Sequence, residues 1–215
     1  MPEHHDQLQR MDPEIRLQRK FFRRPTLDVA RELLGKRLVR VEKDGSRTAG
    51  LIRETEAYIG TEDMGCHAAA GRTERNQSMW GPPGHAYVYF IYGMHWMLNF
   101  VTEDEETPAA VLLRSIEPLE GLDRIADRRA GRPESQWTDG PAKVCQALAI
   151  DGSFDGLDLC TPSSPLFLES SASIPDSRVT TSARVGLYSV EEPWKSIPWR
   201  FQVAKDTFAK ERRSG

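Results

Sequence analysis

The sequence predicts one domain of mixed α/β class, on three observations. Its 215 residues contain no proline-rich or low-complexity linker and no internal repeat that would divide them. Runs of strand-forming residues recur in pairs joined by hairpin-length turns. Apolar stripes at helical spacing lie between those runs. Hydrophobic residues make up 39 % of the chain, enough to close a core, and no apolar run approaches the ~20 residues that cross a bilayer.

Residues 1–20 are polar and charged, without the apolar stretch of a signal peptide, and read as a flexible tail. Pro25 marks a break, after which Thr26 caps an amphipathic helix carrying Leu27, Val29, Ala30, Leu33 and Leu34 and ending at Gly35. Residues 36–42 and 48–58 form strands joined through Lys43-Asp44-Gly45-Ser46, with Asp-Gly as the hairpin signal. Residues 60–84, rich in Gly, Pro, Asn and Arg, lack a sustained period and predict irregular backbone of a length that is usually functional or disordered. Residues 87–91 and 96–101 are strands around the turn Tyr92-Gly93-Met94-His95. Tyr87, Tyr89 and Ile91 share a face there, and at the turn a large aromatic such as Tyr92 folds back on the sheet or stands in water, the first being commoner.

Further on, Arg114 interrupts the apolar strand 109–116, where a guanidinium needs an anion. Leu119, Leu122, Ile125 and Ala126 give a helical stripe, with Arg124, Arg128, Arg129 and Arg132 expected to be solvated. Asp139-Gly140-Pro141 opens a helix running to Ile150, and Lys143 in its first turn stands where backbone amides favour an anion such as phosphate. Residues 151–177 read as loops, 183–188 and 199–203 as short strands, and 205–215 as a charged tail, which leaves 21–204 as the folded domain.

Three cysteines, Cys66, Cys145 and Cys160, are an odd number without paired short spacing, so neither a disulfide framework nor a zinc site is expected. The histidines lack partners at ligand spacing, and no metal or other cofactor is expected. The net charge of −3 does not advertise a polyanion partner, yet residues 1–53 hold 13 Lys and Arg against 8 Asp and Glu. A local basic footprint is compatible with that asymmetry.

The stretch Arg53-Glu54-Thr55-Glu56-Ala57-Tyr58-Ile59-Gly60 is the most informative. Strand alternation puts Ile52, Glu54, Glu56 and Tyr58 on one face, a carboxylate beside a phenol, as in the wall of a pocket. A solvated strand edge would carry the same residues. A carbohydrate hydrolase using Glu54 and Glu56 fits poorly, because carboxylates two residues apart on a strand face the same side, ~7 Å apart, rather than flanking a bond.

Together, Glu54-Thr55-Glu56-Ala57-Tyr58-Ile59-Gly60, His67, the run from Tyr87 to Met94, Asn99, Val111-Leu112-Leu113-Arg114 and Gly140-Pro141-Ala142-Lys143 resemble the alkyladenine (3-methyladenine) DNA glycosylase family. The resemblance extends from Phe21 to about Val203. It implies a curved antiparallel sheet with a protruding β-hairpin that enters the DNA minor groove. It also implies a monofunctional enzyme that flips alkylated or deaminated purines out of duplex DNA and hydrolyses the N-glycosidic bond. By the same resemblance Glu56 is the general base for the attacking water, held with help from Arg114 and the Val185 carbonyl. Tyr58, His67 and Tyr89 receive the flipped base, Asn99 excludes the exocyclic amine of guanine, and Tyr92 is the wedge, with Met94 beside it. Arg72, Arg75 and Lys143 are candidate DNA contacts. A cytoplasmic monomer, nucleoid-associated if bacterial, acting on damaged double-stranded DNA is expected, and a non-catalytic damage-binding module is the rival reading.

Overall fold

The longest strand organises the molecule, because it pairs along both of its edges. The computed structural model describes residues 16–171 and 173–208. The expected tails lie outside these residues at 1–15 and 209–215. Among the described residues eight strands form one sheet: β1 (Arg37–Val41), β2 (Arg47–Ile59), β3 (Ala86–Ile91), β4 (His95–Val101), β5 (Ala109–Glu120), β6 (Leu166–Glu169), β7 (Val179–Ser182) and β8 (Arg200–Val203). Four short α-helices accompany them: α1 (Arg19–Phe22), α2 (Thr26–Glu32), α3 (Leu122–Arg128) and α4 (Pro141–Ala147). The path runs β3-β4-β5-β2-β1-β6. β5 lies along one edge of β2, whereas the other edge is shared, with β1 opposite Arg47 to Leu51 and β8 opposite Glu54 to Glu56. Every pairing is antiparallel. The mixed α/β class is as expected, and the antiparallel sheet that the resemblance implies is an open one.

Helix α2 packs on the core side of β2, where Thr55 Oγ1 donates to the Ala30 carbonyl at 2.8 Å. Alternation then turns Glu54, Glu56 and Tyr58 to the opposite side, facing a site rather than the core. It does not extend back to Ile52, which joins Leu51 and Ala57 in the main core cluster. The β2–β5 register shifts on both sides of Glu54, and such irregularities bend a strand and re-aim its side chains.

Several local expectations are corrected. Thr26 does not cap α2; Pro25 is the N-cap, and Thr26 Oγ1 donates to Glu103 Oε1 at 2.6 Å. No strand forms at 183–188, because the pairing segment is β7, and 183–187 is loop. β6 arises inside the expected loop 151–177, where Leu166, Phe167 and Leu168 are buried against β1. Of the arginines around α3, Arg132 is exposed as expected and Arg124 forms an exposed pair with Asp44, whereas Arg128 pairs with the largely buried Glu42 at 2.9 Å and the buried Arg129 reaches Gln146. Residues 16–20, read with the N-terminal tail, include Leu17, whose side chain joins the core and whose N–H donates to the Leu168 carbonyl. At the other end Phe208 is buried in the same cluster.

Candidate active site

The irregular segment 60–84 folds over the pocket side of the sheet and makes the site's far wall. It contains two 3₁₀ turns, His67–Ala70 and Glu74–Trp80. Asn76, buried between them, ties the segment together. Its Nδ2 donates to the carbonyls of His67 (3.0 Å) and Gly71 (2.8 Å), and its Oδ1 accepts from the Thr73 N–H (2.7 Å). Cys66, Ala68 and Met79 from this segment pack with Tyr87, Val101 and Ala110 of the sheet as a second core cluster, onto which Tyr58 and Tyr89 fit. Burial pushes the Cys66 thiol up to about 12, so it stays a protonated packing residue.

A pocket of about 390 Å³ opens above this cluster. Tyr58, His67, Tyr89, Asn99, Arg114, Val185 and Tyr92 all line it, seven residues drawn from four strands, two loops and a hairpin tip. His67 and Tyr89 meet edge to face with ring centroids 4.6 Å apart, and His67 Nδ1 lies 2.8 Å from the Tyr87 hydroxyl. Asn99 is buried on β4 and donates from Nδ2 to the Tyr87 carbonyl at 3.0 Å, which fixes its amide in the pocket lining.

Glu56 stands directly behind this wall, 0 % exposed. Its Oε1 accepts the Val185 N–H at 2.7 Å, while Oε2 accepts the Tyr58 hydroxyl at 2.8 Å and Arg114 Nη1 at 3.3 Å. Val185 thus meets Glu56 through its amide N–H. Arg114 also donates from Nε to Glu54 Oε1 at 2.8 Å, and Arg200 Nε donates to that oxygen at 2.6 Å. The anion that an arginine in an apolar strand requires is therefore a pair of glutamates. Burial works against the Arg114 charge, but Glu56 and Glu54 outweigh it and hold its pKa above the usual value. Burial, followed by the Glu56 carboxylate, pushes the Tyr58 phenol well up, so this hydroxyl remains a donor. Tyr89 is pushed up to about 12 chiefly by burial.

His67 titrates below its ordinary 6.5, through burial and then repulsion from Arg75. A neutral imidazole is thus favoured, and the sign of its linkage follows. The unfolded chain takes up the proton first, so this contribution is fully present above about pH 6.5 and is lost as pH falls toward the lower folded value. The melting temperature of His67→Gln is expected to decline less between pH 7 and 5 than that of the parent. Parallel declines would remove His67 from the acid response.

The remaining candidates lie around the rim. Tyr92 and Met94 project from the β3–β4 hairpin, 80 % and 67 % exposed. Tyr92 stands in water instead of folding back, because Tyr92 and Gly93 both have positive φ (55° and 66°) in a turn closed by the Met94 N–H on the Ile91 carbonyl. Arg75 lies 5.5 Å from the Tyr89 ring centroid and donates to the Phe90 carbonyl at 3.3 Å. Arg72 and Lys143 do not reach the pocket: Arg72 pairs with Glu106 at 2.8 Å and Lys143 with Asp139 at 2.7 Å. Asp63, Arg184, Gly186 and Leu187 also build or back the pocket, and sequence reasoning did not single them out. Among the described residues no three His, Cys, Asp or Glu side chains gather as a metal site. No described helix is long and apolar enough to cross a membrane.

The Methylpurine-DNA glycosylase family model matches residues 20–207. A protein of Chlorobaculum parvum named "Putative 3-methyladenine DNA glycosylase" is 48 % identical over 183 residues, 85 % of this chain and 87 % of its own length. Proteins of the same name from Methanocella arvoryzae (43 % identical, 93 % of this chain and 98 % of its own) and Streptomyces avermitilis (44 %, 88 % and 88 %) are similar along nearly the whole chain. This chain belongs to the methylpurine-DNA glycosylase family. As a methylpurine-DNA glycosylase family member it is a DNA glycosylase, a hydrolase acting on DNA.

Proposed function

We propose that the protein excises alkylated or deaminated purines from duplex DNA by flipping the base into the aromatic pocket and hydrolysing its N-glycosidic bond with a water activated by Glu56. The observation that carries this reading is the buried Glu56 carboxylate, held by Val185, Tyr58 and Arg114 immediately behind a pocket lined by Tyr58, His67 and Tyr89. Such a base meets its task in two ways. Oε1, with the Val185 N–H as its one donor, keeps acceptor capacity for a water entering beside Val185, and the carboxylate's negative charge stabilises the cationic sugar that develops as the bond breaks.

Tyr58 and Tyr89 offer π-faces to the flipped base, with His67 beside them. Tyr92 fills the gap left in the duplex, and Met94 braces the hairpin against the groove. Arg75, Arg72 and Lys143 meet phosphates, the last two by exchanging exposed ion pairs that contribute little to stability. The reading makes the protein a monomer that needs no cofactor. The test is a set of duplexes carrying 3-methyladenine, 7-methylguanine, hypoxanthine or ethenoadenine, treated with the protein and then with alkali. Strand cleavage at the lesion is expected, and intact strands throughout would overturn the reading.

Asn99 is the proposed source of selectivity. Its buried amide, oriented by the Tyr87 carbonyl, leaves no room for the amine at carbon 2 that guanine has and hypoxanthine lacks. Asn99→Ala is expected to raise guanine release relative to hypoxanthine release on the order of tenfold. An unchanged ratio of single-turnover rates would make Asn99 a structural strand residue.

A further inference from the structure

Behind the Tyr58 ring lies an ion pair that the proposed chemistry does not use. The Arg184 and Asp63 side chains are both 0 % exposed, with Nη1 to Oδ2 at 2.5 Å and Nη2 to Oδ1 at 2.7 Å. Arg184 also donates to the carbonyls of Ala57 (3.0 Å) and Trp194 (3.3 Å), and Asp63 accepts the N–H groups of Gly65 (2.9 Å) and Ile59 (3.3 Å). The guanidinium carbon lies 4.7 Å from the Tyr58 ring centroid. Tyr58 lines the pocket and Arg184 does not, so the cation occupies the far side of the ring. Packing there is tight: a Cβ on Gly65 would come within 2.6 Å of Leu187 and 2.9 Å of Arg184 Nη2.

A bridge this deep carries a desolvation cost that an apolar brace would avoid. Its position gives it an electrostatic consequence, because purines alkylated at N3 or N7 are cations whereas hypoxanthine and ethenoadenine are neutral. A cationic base stacked on Tyr58 faces the Arg184 charge through one ring, at roughly 8 Å, where an uncompensated like charge weakens binding on the order of tenfold or more. We propose that Asp63 is a specificity-determining positioning residue: by neutralising Arg184 behind Tyr58, it lets the pocket accept cationic purines alongside neutral ones. The proposal rests on the base-excision reading above. The sign is the same in the transition state, since a neutral purine leaves with developing negative charge that a bare cation behind Tyr58 would favour.

The test is the ratio of kmax/K1/2 for 7-methylguanine to that for hypoxanthine in otherwise identical duplexes, with ethenoadenine as the neutral lesion if the parent releases only that one. Asp63→Asn is expected to lower this ratio about tenfold. Arg184→Gln is expected to raise it, because the Asp63 carboxylate, still held by the Gly65 and Ile59 amides, then faces the ring without its counter-charge. The double variant returns the ratio toward that of the parent. Loss of packing slows both substrates together and cannot shift the ratio in opposite directions. Ratios unchanged in both single variants, or shifted the same way, overturn the proposal. If Asp63→Asn does not fold, Arg184→Gln against the double variant decides it. A parent that releases none of these bases sinks the base-excision reading instead.

Discussion

Glu56→Gln is expected to reduce single-turnover base excision about a thousandfold or more while duplex binding stays within a few-fold of the parent. The amide keeps the shape of the carboxylate but cannot take a proton from water or oppose a developing sugar cation. The hydrogen bonds around Glu56 sharpen the expectation. All three partners are donors: the Val185 N–H, the Tyr58 hydroxyl and Arg114 Nη1. A glutamine amide nitrogen must therefore face either the Val185 N–H or both Tyr58 and Arg114, and only the Tyr58 hydroxyl can reverse to accept. The variant should consequently melt slightly below the parent, and folding is checked before activity is read. Glu54 is the natural control, because its carboxylate already serves Arg114, Arg200 and Ser115. Glu54→Gln is expected to retain far more excision than Glu56→Gln. The reverse ranking would move the general base to Glu54.

What the sequence made legible was local and periodic. Alternation through Glu54, Glu56 and Tyr58, the paired strands around Tyr92-Gly93, and the need of Arg114 for an anion follow from rules that act over a few residues, and the structure contains all three. Long-range pairings were not legible. Asp63 sits in a segment without period, and its partner Arg184 is 121 residues away in a stretch that reads as a strand. The same limit explains Arg124 and Arg128, whose acidic partners lie 80 and 86 residues upstream on the β1–β2 hairpin. β6 escaped for another reason. Its four residues, flanked by Ser163-Ser164-Pro165 and Ser170-Ser171, are too short for a pattern and are made a strand by pairing with β1.

Tyr92 supplies the second large expected effect, and its backbone lets function be separated from folding. A tyrosine with φ of 55° occupies a left-handed conformation that costs a non-glycine residue about 1 kcal/mol or more, and its ring, 80 % exposed, makes little return contact with the protein. Asparagine tolerates that conformation better than tyrosine does, so Tyr92→Asn is expected to melt at or above the parent temperature. Excision tells a different story. Extruding a base costs a few kcal/mol of stacking, which an inserted ring offsets, so removing the ring is expected to slow release from a fully paired duplex on the order of a hundredfold. The loss should shrink to a few-fold when the same lesion lies in single-stranded DNA, where little stacking has to be broken. Tyr92→Phe, which keeps the ring and drops the hydroxyl, should stay near the parent on both substrates. Measuring single-turnover release for the three proteins on paired and single-stranded lesions, beside their melting temperatures, tests each step. Equal release by Tyr92→Asn and the parent on the paired duplex would remove Tyr92 from base flipping and leave its strained turn without a function.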